Sequence, residues 1–176
     1  MAIKELKNEI VMESKYASIT ISKSDSEVKS VIYQGKEIVA EEKVCFFSFF
    51  NNEKEQSFPT SLKLNGDVIT VNGELGSFDV RIECGDCFFL EVLTALPETV
   101  YKVFVGHAKY TEPVAVNVAM TIGSIPKYYP DGKSCETLCH TTRRLSDVGA
   151  KCALLIAPLE EHREMLKDIC LKIDIK

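Results

Sequence analysis

The sharpest local motif in the chain is Cys84-Gly85-Asp86-Cys87. Two thiols flanking a two-residue turn have the spacing of half a zinc knuckle, since both can reach one tetrahedral ion. The other half would have to come from Cys135, Cys139 and His140. Their Cys-x-x-x-Cys spacing departs from the usual paired C-x₂-C. Phe78, Val80, Ile82 and Cys84 alternate with polar residues, which puts Cys84 on the apolar face of a strand, and Cys87 opens the next apolar run. Both read as packed thiols, so no metal and no cofactor is expected. A redox pair of thioredoxin type would need a helix starting at the second cysteine, and no helix signal follows Cys87.

Of the three histidines, His107 closes an apolar strand and His162 falls on the apolar face of a helix. Both read as packing residues. His140 lies in the least regular stretch, with Arg143 and Arg144 after it and Tyr128, Tyr129 and Asp131 before it. Tyrosine rings can lie flat on a sugar face, while Asp and Arg accept from and donate to its hydroxyls. Tyr128, Tyr129, Asp131, His140, Arg143 and Arg144 are therefore the candidate carbohydrate contacts. Pro126 and Pro130 limit the freedom of this loop and lower the cost of ordering it. The competing reading is a packed plug, with the tyrosines covering one end of the fold. Catalytic residues stay unassigned. The chain has no Gly-x-Ser-x-Gly elbow, no P-loop and no Gly-x-Gly-x-x-Gly. Its paired carboxylates, Glu41-Glu42 and Glu160-Glu161, are surface runs.

The elements that must position these residues are mostly strands. Ala17 to Ser22 alternates, Val28 to Tyr33 follows, and Gln34 to Glu37 reads as a turn. Val44 to Phe50 is a continuous apolar run, as expected of a strand buried on both sides. Asn65-Gly66 reads as the two-residue turn of a hairpin between Ser61–Leu64 and Asp67–Val71. Strands over Ser77–Cys84, Cys87–Leu93, Val100–His107 and Pro113–Ile122 complete about nine strands spaced by roughly 8–12 residues, and Cys152–Ala157 reads as a further, buried strand. Such spacing predicts an antiparallel sandwich. Gly123 to Lys133 reads as loop. Ser134 caps a short helix over Cys135 to Val148, and Pro158 opens a helix carrying Leu159, His162, Leu166, Ile169 and Cys170 on one face. Leu171 to Lys176 forms a last strand.

Composition excludes several classes. The chain has 176 residues, 45 % of them hydrophobic and 27 % charged, which suits one globular domain over residues 1–176. Its 21 Lys+Arg against 26 Asp+Glu, with arginine only at 81, 143, 144 and 163, argue against nucleic acid and anionic membranes as partners. The seven cysteines are an odd number, and several sit in apolar runs. This favours a reducing, cytoplasmic compartment over a disulfide scaffold, although a secreted chain stripped of its signal would look the same.

The strand run Asn65–Val71 and Ser77–Val92 resembles the meander of β-sandwich domains that precede the catalytic domain of many glycoside hydrolases, of the galactose-mutarotase-like kind. Gly149 to Pro158 is similar to the exit from such a domain. The resemblance covers about residues 60–175 at the level of strand patterns. It implies an all-β antiparallel two-sheet sandwich with one C-terminal helix, as part of a longer carbohydrate-active protein. It also implies a non-catalytic accessory role, positioning a catalytic domain or touching glycan. The alternatives are a mutarotase-type sugar epimerase using His107 or His140 beside a carboxylate, and a protein-interaction module with a large exposed apolar patch.

Overall fold

A strand turns successive side chains to opposite faces, so an alternating sequence with a buried half becomes one layer of a sheet. A computed structural model describes residues 2–39, 43–94, 100–105, 108–110, 115–120, 127–128, 135–137, 140–141 and 151–158. Among these every regular element is a strand and every pairing is antiparallel. The all-β antiparallel sandwich expected from the strand spacing is what the chain forms. The helix after Pro158 and the strand at 171–176 lie outside the described residues.

In chain order the strands are β1 (Ala2–Glu5), β2 (Glu9–Glu13), β3 (Ala17–Ser22), β4 (Val28–Tyr33), β5 (Lys36–Glu37), β6 (Phe47–Asn51), β7 (Gln56–Ser57), β8 (Ser61–Asn65), β9 (Val68–Gly73), β10 (Gly76–Cys84) and β11 (Phe88–Val92). They are followed by β12 (Val100–Val105), β13 (Ala108–Tyr110), β14 (Ala115–Met120), β15 (Lys127–Tyr128), β16 (Cys135–Thr137), β17 (His140–Thr141) and β18 (Lys151–Ala157). One sheet is the meander β1-β2-β3-β4-β5, and a second runs β15-β14-β18-β11-β10-β9-β8. A smaller sheet, β17-β12-β6-β7, and the pair β13-β16 complete the set.

In the five-stranded sheet, register aligns Ile3, Met12, Ile19 and Val31 in one row, and Ile10, Ile21 and Val28 in the next. Val28 and Val31 are three residues apart and would face opposite sides of a regular strand. A register shift between Thr20 and Ile21 inserts one extra residue, exposed Lys29, and brings both valines to the buried side. The seven-stranded sheet contributes Leu62, Ile69, Val71, Phe78, Val80, Ile82, Phe88, Leu90, Val92, Leu154 and Ile156 to the same core. Its other face carries cross-strand polar pairs: Thr70 Oγ1 donates to Asp79 Oδ1 at 2.6 Å, and Arg81 Nη1 to Glu91 Oε2 at 3.2 Å.

β6 joins the layers. Phe47, Ser48 and Phe49, with Phe46 just before them, are all buried, as a strand covered on both faces requires. The rings of Phe47 and Phe49 meet Phe78 edge to face, with centroids 6.1 and 5.4 Å apart. Backbone bonds from Lys15 N to Gly85 O (2.9 Å) and from Leu62 N to Lys23 O (2.6 Å) tie the two large sheets together.

Several local expectations are corrected. Asn65 pairs with Val68, so the hairpin turn is Gly66-Asp67 rather than Asn65-Gly66. Gly66 takes a φ of 65° at the first turn position, where a type II′ turn wants glycine. The turn read over Gln34 to Glu37 contracts to Gln34-Gly35, with φ of 48° and 82°, and Lys36–Glu37 returns as β5. Within the stretch read as loop, Lys127–Tyr128 pairs with β14. The helix read over Cys135 to Val148 is replaced, where described, by β16 paired with β13 and β17 paired with β12. Long-range pairing overrides a weak local preference there. The N-terminal hairpin β1-β2 was hidden by its charge.

Candidate functional site

Of the six residues expected to contact carbohydrate, two are among the described residues, and these two lie in different sheets. Tyr128 is on β15, an edge strand of the seven-stranded sheet, opposite Asn117. His140 is on β17, an edge strand of the four-stranded sheet, opposite Phe104. Tyr129, Asp131, Arg143 and Arg144 lie outside the described residues, as do His107, His162 and Cys139. Cys135 is on β16. Cys45 and Cys84 are free thiols, and Cys87 is buried. Burial pushes the Cys84 thiol above its ordinary range. Among the described residues, no three His, Cys, Asp or Glu side chains gather as metal ligands.

The described residues form a cleft that the sequence did not announce. It measures about 390 Å³ and is lined by Lys43, Val44, Cys45, Gln56 and Phe58. One wall is the 43–45 segment. Val28 N donates to Val44 O at 2.9 Å, Phe46 N to Ser26 O at 2.8 Å, and Cys45 bridges Glu27. The other wall is β7 and its exit. The β6–β7 turn is closed by Asn51 twice over: its Oδ1 accepts from Glu55 N at 2.9 Å and its Nδ2 donates to Glu55 Oε2 at 3.0 Å. Pro59 is buried while Phe58, held extended by the proline after it, is exposed. Phe58 is 50 % exposed, unusual for a residue of that size.

The charges at this cleft are paired. Lys43 Nζ lies 3.0 Å from Asp25 Oδ2 and 3.8 Å from Glu27 Oε2, and Lys29 Nζ lies 2.5 Å from Glu27 Oε2. The hydrogen bond to Asp25, and then the charges of Asp25 and Glu27, hold the Lys43 ammonium above its ordinary value. Burial raises the Asp25 carboxyl, but bonds from Glu27 N, Lys43 and Ser22 outweigh it and bring the group below its usual range. Burial, helped by Asp25, pushes the Cys45 thiol up. Cys45 is thus a protonated, packed thiol rather than an activated nucleophile. A second concavity of about 320 Å³ runs past Glu13, Tyr16, Ile32 and Gln34. There Lys15 Nζ sits 4.9 Å from the centroid of the Tyr16 ring and covers one face of it.

Phe58 could have been noticed as a lone aromatic in the polar stretch from Asn51 to Thr60. Lys43 and Cys45 carried no signal, because their wall is brought to β7 by tertiary pairing alone.

Fold and cleft together define an all-β sandwich domain with an open, charge-balanced cleft beside Phe58. No protein-family model matches the chain, and no curated protein matches it. Among solved structures it is similar to the periplasmic domain of YidC from Thermotoga maritima, at 10 % identity over 97 % of this chain and 98 % of that one, with a TM-score of 0.46. A superposition this loose carries no argument about function.

Proposed function

We propose that the chain is a non-catalytic β-sandwich module of a carbohydrate-active protein and that it contacts glycan at the Phe58 cleft. The half-exposed Phe58 ring carries this reading. An apolar plate beside the amide of Gln56 and the ammonium of Lys43 offers the stacking surface and hydrogen-bonding groups that a sugar ring uses. The strand-pattern resemblance to galactose-mutarotase-like domains of glycoside hydrolases supports the same context. Tyr128, Tyr129, Asp131, His140, Arg143 and Arg144 are further contacts in this proposal, and an adjoining catalytic domain is its macromolecular partner. The acidic balance of the chain supports the absence of nucleic acid and membrane partners. The thiol state of the buried Cys45 supports a reducing, cytoplasmic setting.

The test is retention of the purified chain on immobilised polysaccharides, alongside incubation with chromogenic glycosides. Retention that is lost in Phe58→Ala, with no glycoside cleaved, is the expected result. Retention unchanged by Phe58→Ala removes the cleft from the reading, and hydrolysis by the isolated chain removes the non-catalytic role.

A further inference from the structure

We infer that the cleft of Lys43, Cys45, Gln56 and Phe58 selects an uncharged glycan over an acidic one; this rests on the glycan-binding reading above. A lysine at the rim of a cleft would ordinarily favour uronate, sulfate or phosphate groups. Here its charge is already answered by Asp25 at 3.0 Å and Glu27 at 3.8 Å. With Lys29 on Glu27, two ammoniums face two carboxylates, and the group sums to zero. An acidic ligand would have to displace Asp25 from Lys43 or accept two carboxylates close by, and like charges brought together are repelled. A neutral sugar meets neither obstacle. The Gln56 amide both donates and accepts, and a lysine ammonium has three donors, not all of which Asp25 needs. Cys45 adds an uncharged floor. A volume of about 390 Å³ lies near the lower end of the roughly 300–1,000 Å³ range of small-ligand sites, which suits the end of a glycan chain more than a long segment.

The experiment is calorimetric titration of the full chain with two panels, one of neutral gluco-, xylo-, manno- and galacto-oligosaccharides and one of oligogalacturonates. Each is run at low salt and at 0.5 M NaCl. Binding of a neutral panel member is expected, with an affinity that barely responds to salt. Phe58→Ala should weaken it about tenfold, the worth of a stacking contact. Phe58→Leu should recover part of the loss, and both variants should unfold in urea like the parent, because the ring is exposed. Asp25→Asn, which removes the nearer of the two carboxylates beside Lys43 and leaves the group with a net positive charge, should create salt-sensitive uronate binding. Tighter binding of oligogalacturonate by the unmodified chain, weakened by salt, overturns the inference and leaves the glycan reading standing. Binding of neither panel overturns both.

Discussion

Ser26 and Phe47 are held together by a single hydroxyl. Ser26 Oγ donates to Phe47 O and accepts from Phe47 N, both at 3.1 Å, and all three atoms belong to buried residues. Ser26 itself sits at a φ of 61°, a left-handed conformation uncommon for serine. The turn between β3 and β4 is bent so that this hydroxyl can meet the backbone of β6, twenty-one residues on. Ser26 O receives Phe46 N at 2.8 Å in the same place. The contact sets the height of the 43–45 wall and therefore the shape of the cleft.

Ser26→Ala leaves the Phe47 N–H and C=O without this partner in the interior. The expected cost is about 1–3 kcal/mol, the range for stranding a buried polar group. Ser26→Gly loses the same bonds but relaxes the left-handed backbone, so it should cost less than alanine. Urea titration checks this through the midpoint at unchanged slope. Equal stability for Ser26→Ala and the parent would show that the hydroxyl contributes nothing net.

Gly73 closes β9 against the Phe49 ring. A Cβ built at position 73 would lie 2.7 Å from Phe49 Cε2 and 3.1 Å from Cζ. That ring cannot swing away freely, because it stands edge to face on Phe78. Gly73→Ala should destabilise the fold by about 1–3 kcal/mol through overpacking. The double variant Gly73→Ala with Phe49→Leu should cost less than the sum of the singles, since the smaller side chain removes the clash. Strict additivity in thermal melts would contradict the contact.

Much of this frame is readable from the residues, and the unread parts share a cause. Phe78, Val80, Ile82 and Leu90 face the core because their alternation leaves one face apolar. The hairpin β1-β2 is not legible because Lys4, Glu5, Lys7 and Glu9 interrupt the apolar positions Ile3, Ile10 and Met12 that share its inward face. The Asn65-Gly66 dipeptide marked the turn correctly but misplaced its register by one residue, because Asn-Gly fits the first central positions of type I′ while the chain uses Gly66 as the first of a II′ turn. The strands β16 and β17 depend on partners at 108–110 and 103–104 that no local pattern announces. The cleft is of the same kind. Residues 43–45 and 56–58 face each other only after β6 has been seated.

Stability should fall on acidification in a way that involves Glu37. Its Oε1 accepts from Val31 N at 2.8 Å and Val39 N at 3.0 Å, and its Oε2 accepts from Ser30 Oγ. Burial alone would raise this carboxyl, but the Ser30 hydroxyl and the backbone donors outweigh it and hold it below its ordinary value. Glu13, bonded by Lys4, and Asp25 are lowered as well. A group whose folded pKa lies below its unfolded one stabilises the fold above the unfolded value, about 4 for carboxyls, and that contribution disappears as pH falls through the folded value. Urea midpoints should therefore be steady from pH 7 to 5 and decline from about pH 4 downward. Glu37→Gln should be less stable at neutral pH and lose less on acidification. A variant with the parent's full acid slope would exclude Glu37 from the effect.

The parity of β4 makes the most demanding prediction. Lys29 is exposed, and its ion pair with Glu27 is a surface pair of the kind that contributes little. Lys29→Ala should therefore change stability by no more than about 0.5 kcal/mol. Deleting Lys29 is a different matter. The residue is the extra one in the bulge that lets Val28 pair with Ile21 and Val31 with Ile19 while both face inward. Without it the strand must lose one of these valines to the solvent side or break its register with β3. Turning out a single buried valine costs about 1.5–3 kcal/mol before any disruption of Ile38, whose N–H bonds Val31 O at 2.8 Å. The deletion should thus cost several times more than the substitution at the same position. Inserting a second residue beside Lys29 should be about as harmful, because it too reverses the parity. Circular dichroism with urea titration of the three variants measures the order. A deletion as mild as Lys29→Ala would mean that register in this sheet is not held by the Val28 and Val31 faces.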